Sequence, residues 1–366
     1  MIKVKSKRLS FKSSRNDAFS TALKQESSAY LAAHNDHRFA DRWFFIKAFF
    51  LGGLAVALYV SALHATTLMA FSILYVLCIF SSMVLAMNLL HDASHKAVFR
   101  SAFLNRWVNR LVVFPLGIDP DYWTIRHVRY HHTYPNIEGL DLDIDANAFL
   151  RQTPFQPYFK HFKFQHIYWP LVAGLSLPYI NWVYDWADRL GKSELADDSV
   201  LEGVSGWIVF LSSKALHFTI ALLLPILFLR EYGITTGQIA GVYFLAQIVA
   251  SCVLVALILG THWADTSFYQ PDERGVMPHT WHAHSFKTTC DWQSNPHAVG
   301  YWLGGLNYHL THHLFPTVNH RHYAALSRIV ARLAAEHGLE YKLLNYPSLI
   351  RAQQKFLKQM GQVPPV

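Results

Sequence analysis

Three short histidine runs could carry chemistry in this chain: His91-Asp-Ala-Ser-His95, His127-Val-Arg-Tyr-His131-His132 and His309-Leu-Thr-His312-His313. Neutral imidazole is the commonest side-chain metal ligand. Residues three or four apart share a face of a helix. The spacing therefore predicts that His91 with His95, His127 with His131, and His309 with His312 and His313 each aim at one point. Adjacent histidines are turned by about 100° on a helix, so one segment can serve two neighbouring metals. His262, just past a long apolar run, is a fourth contributor. His217, deeper in such a run and without a partner at helical spacing, reads as a hydrogen-bonded core histidine.

A lone histidine pair arises by chance on many surfaces; three groups in one chain with 22 histidines do not fit that explanation. Imidazole suits zinc, copper, iron and nickel, and one ion takes about four to six ligands. Eight or nine histidines therefore imply two metals. Asp92 is the only acid inside the groups, which argues against a two-zinc hydrolase with carboxylate ligands. Asp141, Asp143, Asp145 and Asp291 either orient imidazole N–H groups or stand in a solvated acidic loop.

The elements that must position these groups are set by composition. The chain has 366 residues, 52% hydrophobic and only 15% charged, where a soluble domain carries about a quarter charged. Four runs, about 43–63, 67–90, 207–229 and 237–260, reach the roughly 20 residues a bilayer crossing requires. Basic residues precede the first (Lys3, Lys5, Lys7, Arg8, Lys12, Arg15) and follow the second (Arg100, Arg106, Arg110, Arg126, Arg129), whereas the short connectors hold only Arg230. The positive-inside rule then puts both termini and the central stretch in the cytoplasm. The expected architecture is an all-α integral membrane protein. A cytoplasmic N-terminal tail (1–42) precedes four transmembrane helices, and a cytoplasmic helical cap (91–206 and 261–366) carries the histidine site. Segments at Leu104–Leu116 and near His166–Trp186 read either as interfacial helices or as buried cap helices.

The net charge of +8 favours an anionic lipid surface or an acidic acyl carrier; no basic, aromatic-interleaved stripe points to nucleic acid. Cys78, Cys252 and Cys290 are scattered, with no disulfide framework. The polar opening lacks an apolar core, so no cleavable signal peptide is expected.

These motifs resemble the membrane fatty acid desaturase family, bacterial acyl-lipid and front-end-like members in particular. The three histidine runs match that family's boxes in order. So does their context: His131-His-Thr-Tyr-Pro-Asn136 with Asp141 and Asp143 following, Thr288-Thr-Cys-Asp-Trp292, and Gly304-Gly-Leu-Asn307 before His312-His-Leu-Phe-Pro316. The resemblance covers Trp43 to the C-terminus. It implies a di-iron centre ligated by His91, His95, His127, His131, His132, His262, His309, His312 and His313, with Asp92, Asp141, Asp291 and Asn307 as supporting residues. It further implies a bacterial inner-membrane location. Front-end members commonly begin the third box with Gln where this chain has His309. Many also carry a fused cytochrome b5 segment that this sequence lacks, so a separate donor such as ferredoxin or cytochrome b5 is expected. Ile258 stands where acyl-CoA members place a ligating asparagine, and Asn307 is the candidate replacement.

An unactivated C–H bond yields to no side-chain acid or base, so the resemblance implies O2-activating chemistry, with the protein supplying orientation and dryness. The expected reaction consumes O2 and two electrons and leaves a cis double bond in a fatty acyl chain carried on lipid, CoA or an acyl carrier. Trp281, Trp292, Tyr301 and Tyr308 are candidates for lining the acyl path, and Lys214 or Arg126 for holding a phosphate; packing and snorkelling are the ordinary roles of such residues. The alternatives are a hydroxylase or ketolase of the same class and, remotely, a non-enzymatic metal-binding or transport protein, which would place polar ligands inside the spans.

Overall fold

The four apolar runs form helices long and apolar enough to cross a membrane: Arg42–Leu63, Leu68–Ser94, Gly203–Tyr232 and Thr236–Trp263. The computed structural model describes residues 9–15, 17–35, 37–193, 195, 203–271 and 275–363; Lys3, Lys5, Lys7 and Arg8 lie outside them. Helix starts follow local chemistry. The Asp41 carboxylate accepts from Phe44 N, Thr67 Oγ1 accepts from Ala70 N, and Thr235 with Gln238 closes a reciprocal capping box. Within the expected N-terminal tail, Ala18–Ala33 is a helix that buries Phe19 and Leu23 against Val330, Leu333 and Ala334.

The second span runs past its expected end at residue 90. Its 27 residues rise about 40 Å at 1.5 Å each, against a hydrocarbon core of about 30 Å. The helix is longer than such a layer, His91 lies in its last turn and His95 caps it. At the end of the fourth span the long helix stops at Ile258, and a short helix, Gly260–Trp263, carries His262.

Helix Ala102–Val112 is turned inside out relative to a soluble helix. Phe103, Leu104, Trp107 and Leu111 are exposed, Phe103 at 66%, while Asn105, Asn109 and Arg110 are buried. Ile167 and Leu171, each 65% exposed, do the same on Gln165–Gly174. Both helices thus present apolar side chains outward, in keeping with the interfacial reading of these stretches.

After the first of these helices the chain dips inward, and its carbonyls are taken up by side chains of the third and fourth spans. His217 Nδ1 pairs with Phe114 O, Gln247 Nε2 donates to Pro115 O and Lys214 Nζ donates to Gly117 O. Irregular backbone at such depth requires internal partners. Lys214 also bonds the Asn181 side chain and Asp185, and Arg126 holds Asp188 through both carboxylate oxygens. These cations are committed to internal pairs rather than presented to a phosphate. His217 bonds Asn181 and Tyr243 as a core histidine.

Among the described residues the cap combines helices and loops with two short parallel strand pairs, Ser10–Phe11 with Val276–Met277 and Asp291–Gln293 with Leu343–Asn345. The second pair ties the segment before the third histidine run to the helix Tyr346–Met360.

Candidate metal centre

The three histidine runs and His262 come from four separate elements and converge in one buried place. His91, His95, His127 and His312 bring ligand atoms within 4.8 Å of one another, and His131, His262, His309 and His313 do the same. His132 joins the first quartet: its Nε2 is 2.9 Å from His312 Nε2 and 3.2 Å from His127 Nε2. All nine predicted histidines are buried here; His217 is elsewhere.

Pairing within the runs differs from simple helical spacing. His91 and His95 share a quartet, as expected. His127 and His131 do not, because Ile125–His131 is a π-helix. The wider turn brings positions five apart into register: His132 N donates to His127 O, and their ring nitrogens meet. In the third run His309 and His313 join one quartet and His312 the other, so the doubled histidines do divide between two positions.

Local sequence sets these segments. Asp119 caps the turn before the π-helix, with Pro120 at its first position. The third run follows Gly304, whose φ is +68°; a Cβ there would lie 2.6 Å from Met87 O. Only glycine lets this loop press against the second span and bring His309–Leu314 onto His91.

Three of the outer ring nitrogens have partners, whereas Nδ1 of His91, His132 and His309 is buried without a hydrogen-bond partner among the described residues. His131 Nδ1 is 3.1 Å from Asp141 and 3.3 Å from Asp143. His262 Nδ1 pairs with Thr288 O at 3.0 Å, and His312 Nδ1 with Tyr323 OH at 2.8 Å. Trp123 stacks on His127 with centroids 4.7 Å apart. Among the described residues, His91 Nε2, His95 Nε2, His131 Nε2 and both nitrogens of His313 are buried without a hydrogen-bond partner. Buried imidazole nitrogens lacking partners are costly, and a cation between them would satisfy them. The donor set fits a pair of transition-metal ions.

Burial and neighbouring imidazoles hold His95, His127, His132, His309, His312 and His313 well below the usual histidine range, leaving their lone pairs free for a metal. His131 is the exception. Burial would lower its pKa, but Asp141 and Asp143 outweigh burial and lift it to about 9. Burial pushes the Asp141 carboxyl up, and the histidines around it, His131 first, bring it below the usual range.

The supporting residues sort by contact. Asp141 orients His131 directly. Among the described residues Asp291 bonds none of the nine histidines: it accepts from Thr311 N, Thr311 Oγ1 and Tyr341 OH, holding the third-run helix. The Asn307 side chain donates to Trp292 O, so it holds that loop rather than a histidine. Asp92 bonds Asn319 and His320. His320, Tyr323 and Trp123 escaped the sequence reading. Trp123 stands four residues before His127 on a continuous helical stretch, so its spacing could have found it; His320 and Tyr323 sit at no such spacing from a box histidine, although the run His320-Arg-His322 could have drawn notice as unabsorbed histidine.

The model of the fatty acid desaturase family matches residues 65–345, which contain every one of these histidines. This chain belongs to the fatty acid desaturase family. Such an enzyme is an oxidoreductase that desaturates fatty acids, which excludes the transport reading. Over 94% of its length the desaturase is 28% identical to the sn-1 linoleoyl-lipid 6-desaturase of Synechocystis sp., covering 96% of that protein. It is 27% identical to the enzyme of the same name from Arthrospira platensis, over 76% of this chain and 74% of the other. It is also 27% identical to a probable Delta(5) fatty acid desaturase of Dictyostelium discoideum, over 87% and 68% of the two chains.

Proposed function

We propose that this desaturase holds two irons, one per histidine quartet, and uses O2 to place a cis double bond in the acyl chain of a membrane lipid. The observation that carries the reading is the pair of adjacent, buried, carboxylate-poor quartets at the ends of two apolar spans. Eight quartet histidines and His132 would be the ligands. Bound there, the irons would supply the O2 activation that an unactivated C–H bond demands.

The chain's own residues do the rest. Asp141, Thr288 O and Tyr323 turn their imidazoles so that Nε2 faces inward, which a histidine ligand requires of its outer nitrogen. Burial of the quartets excludes water from the reacting carbons. The acyl-lipid relatives favour a glycerolipid-borne chain over CoA or an acyl carrier. Electrons come from a separate donor protein, such as a ferredoxin or a cytochrome b5. Arg100, Arg106, Arg110, Arg126 and Arg129 follow the second span near His95, which supports a cytoplasmic centre in a bacterial inner membrane with both termini on the same side. The outward apolar faces of Ala102–Val112 and Gln165–Gly174 would rest in that leaflet.

The test is expression in a host lacking the activity, with mass spectrometry of derivatised fatty acids and iron quantified per purified chain. New cis double bonds and two irons per chain are expected. Full activity without iron would overturn the metal assignment, and hydroxylated product would move the enzyme to the hydroxylase branch of the class.

A further inference from the structure

The first span carries a buried lysine that the reaction does not use. Lys47 is 3% exposed. Its Nζ donates to Tyr301 O at 2.8 Å and stands 3.0 Å from His320 Nε2. A buried ammonium near the apolar layer needs such partners. An ammonium only donates and an imidazole nitrogen that accepts carries no proton, so the His320 proton belongs on Nδ1. That nitrogen lies 2.8 Å from Asp92 Oδ2.

The same oxygen accepts from His320 N at 3.0 Å and Asn319 Nδ2 at 2.7 Å. Three donors from one turn thus pin Oδ2 and fix the rotation of the carboxylate. Oδ1, buried and without a hydrogen-bond partner among the described residues, lies 3.5 Å from His91 Nδ1. Both His91 nitrogens are likewise unpartnered, and an imidazole whose Nε2 binds a metal must present an N–H from Nδ1. Among the described residues the structure sets Asp92 Oδ1 beside it.

We infer that Lys47 and His320 are positioning residues for the first quartet: the chain Lys47, His320, Asp92 sets the tautomer and direction of His91, so that its Nε2 faces the metal. This rests on the reading of two bound irons. It predicts that a lysine in the first span, on a different element from every ligand, governs one metal position and spares the other.

The experiment compares the full-length wild type with Lys47→Met, His320→Phe and His320→Asn, all purified in detergent. Iron per chain, iron loss to a chelator and Mössbauer spectra of isotope-enriched protein are measured. Asparagine places an amide N–H where His320 has Nδ1, whereas phenylalanine keeps bulk and removes the donor. Outer partners of metal-bound histidine are worth about 10–100-fold in affinity. His320→Phe should lose one of the two irons about 10–100-fold more readily, and Lys47→Met about tenfold. One of the two iron signals should shift, and His320→Asn should restore near-normal retention. Wild-type retention and spectra in Lys47→Met and His320→Phe would overturn the inference. So would His320→Asn behaving like His320→Phe, which would mark a merely structural role. If His320→Phe does not fold, Lys47→Met against His320→Asn decides by the same criteria. A wild type without iron would instead sink the underlying two-iron reading, so the two failures are distinguishable.

Discussion

Tyr323 OH lies 2.8 Å from Nδ1 of His312, with both side chains buried. It ties the helix that follows the third histidine run to a candidate ligand whose Nε2 faces His132. Tyr323→Phe leaves the ring packed and removes only this partner. A lost buried hydrogen bond costs about 1–3 kcal/mol. Turnover should fall about 10–100-fold with a small drop in thermal stability, read by product analysis and by unfolding in detergent.

Asp141 bears on the other quartet. Its Oδ1 is 3.1 Å from His131 Nδ1, and Oδ2 accepts from Asn136 N at 2.8 Å. Asp141→Asn keeps the shape and removes the charge. Iron affinity should fall about 10–100-fold at the second quartet while the first is retained, which iron quantification against a graded chelator would read.

Gly304 and Gly139 make a matched pair. Both have positive φ, +68° and +73°, but a Cβ at 304 meets the Met87 carbonyl at 2.6 Å while one at 139 meets nothing within 4 Å. Gly139→Ala should cost about 1–2 kcal/mol, the left-handed penalty alone. Gly304→Ala should cost more and should also lower iron content, because the third run is pushed off the second span. Thermal unfolding and metal content of the two variants test the difference.

Acid should destabilise the cap through His284. Burial lowers its pKa to about 4, against the Pro135 carbonyl that it faces at 2.7 Å. The folded pKa lies below the unfolded value of about 6.5. The unfolded chain therefore binds the extra proton, and the neutral ring's contribution is fully present above pH 6.5 and lost as pH falls toward 4. A shift of that size corresponds to about 3 kcal/mol. His284→Gln should flatten this acid limb of the stability profile, measured by denaturant unfolding between pH 7 and about 4.

What the residues alone determined was the inventory: four spans, nine histidines in three runs and one outlier, and a carboxylate-poor set. Those depend on apolar run length and on residue type, both local. The division into quartets was legible for His91 with His95 and for the split of the doubled histidines, but not for the central run, because spacing arguments assume an α-helix. The Ile125–His131 segment takes a π turn that puts His132, not His131, beside His127. Nor could spacing find Tyr323, His320 or Lys47, which reach the centre from other elements only after the chain has packed. Asn307, near the third run in sequence, turned to Trp292 instead. Local chemistry supplied the donors. Which donor meets which was decided by tertiary contact, since direction and partner of an imidazole are set by whatever carbonyl, carboxylate or hydroxyl the fold brings against its outer nitrogen.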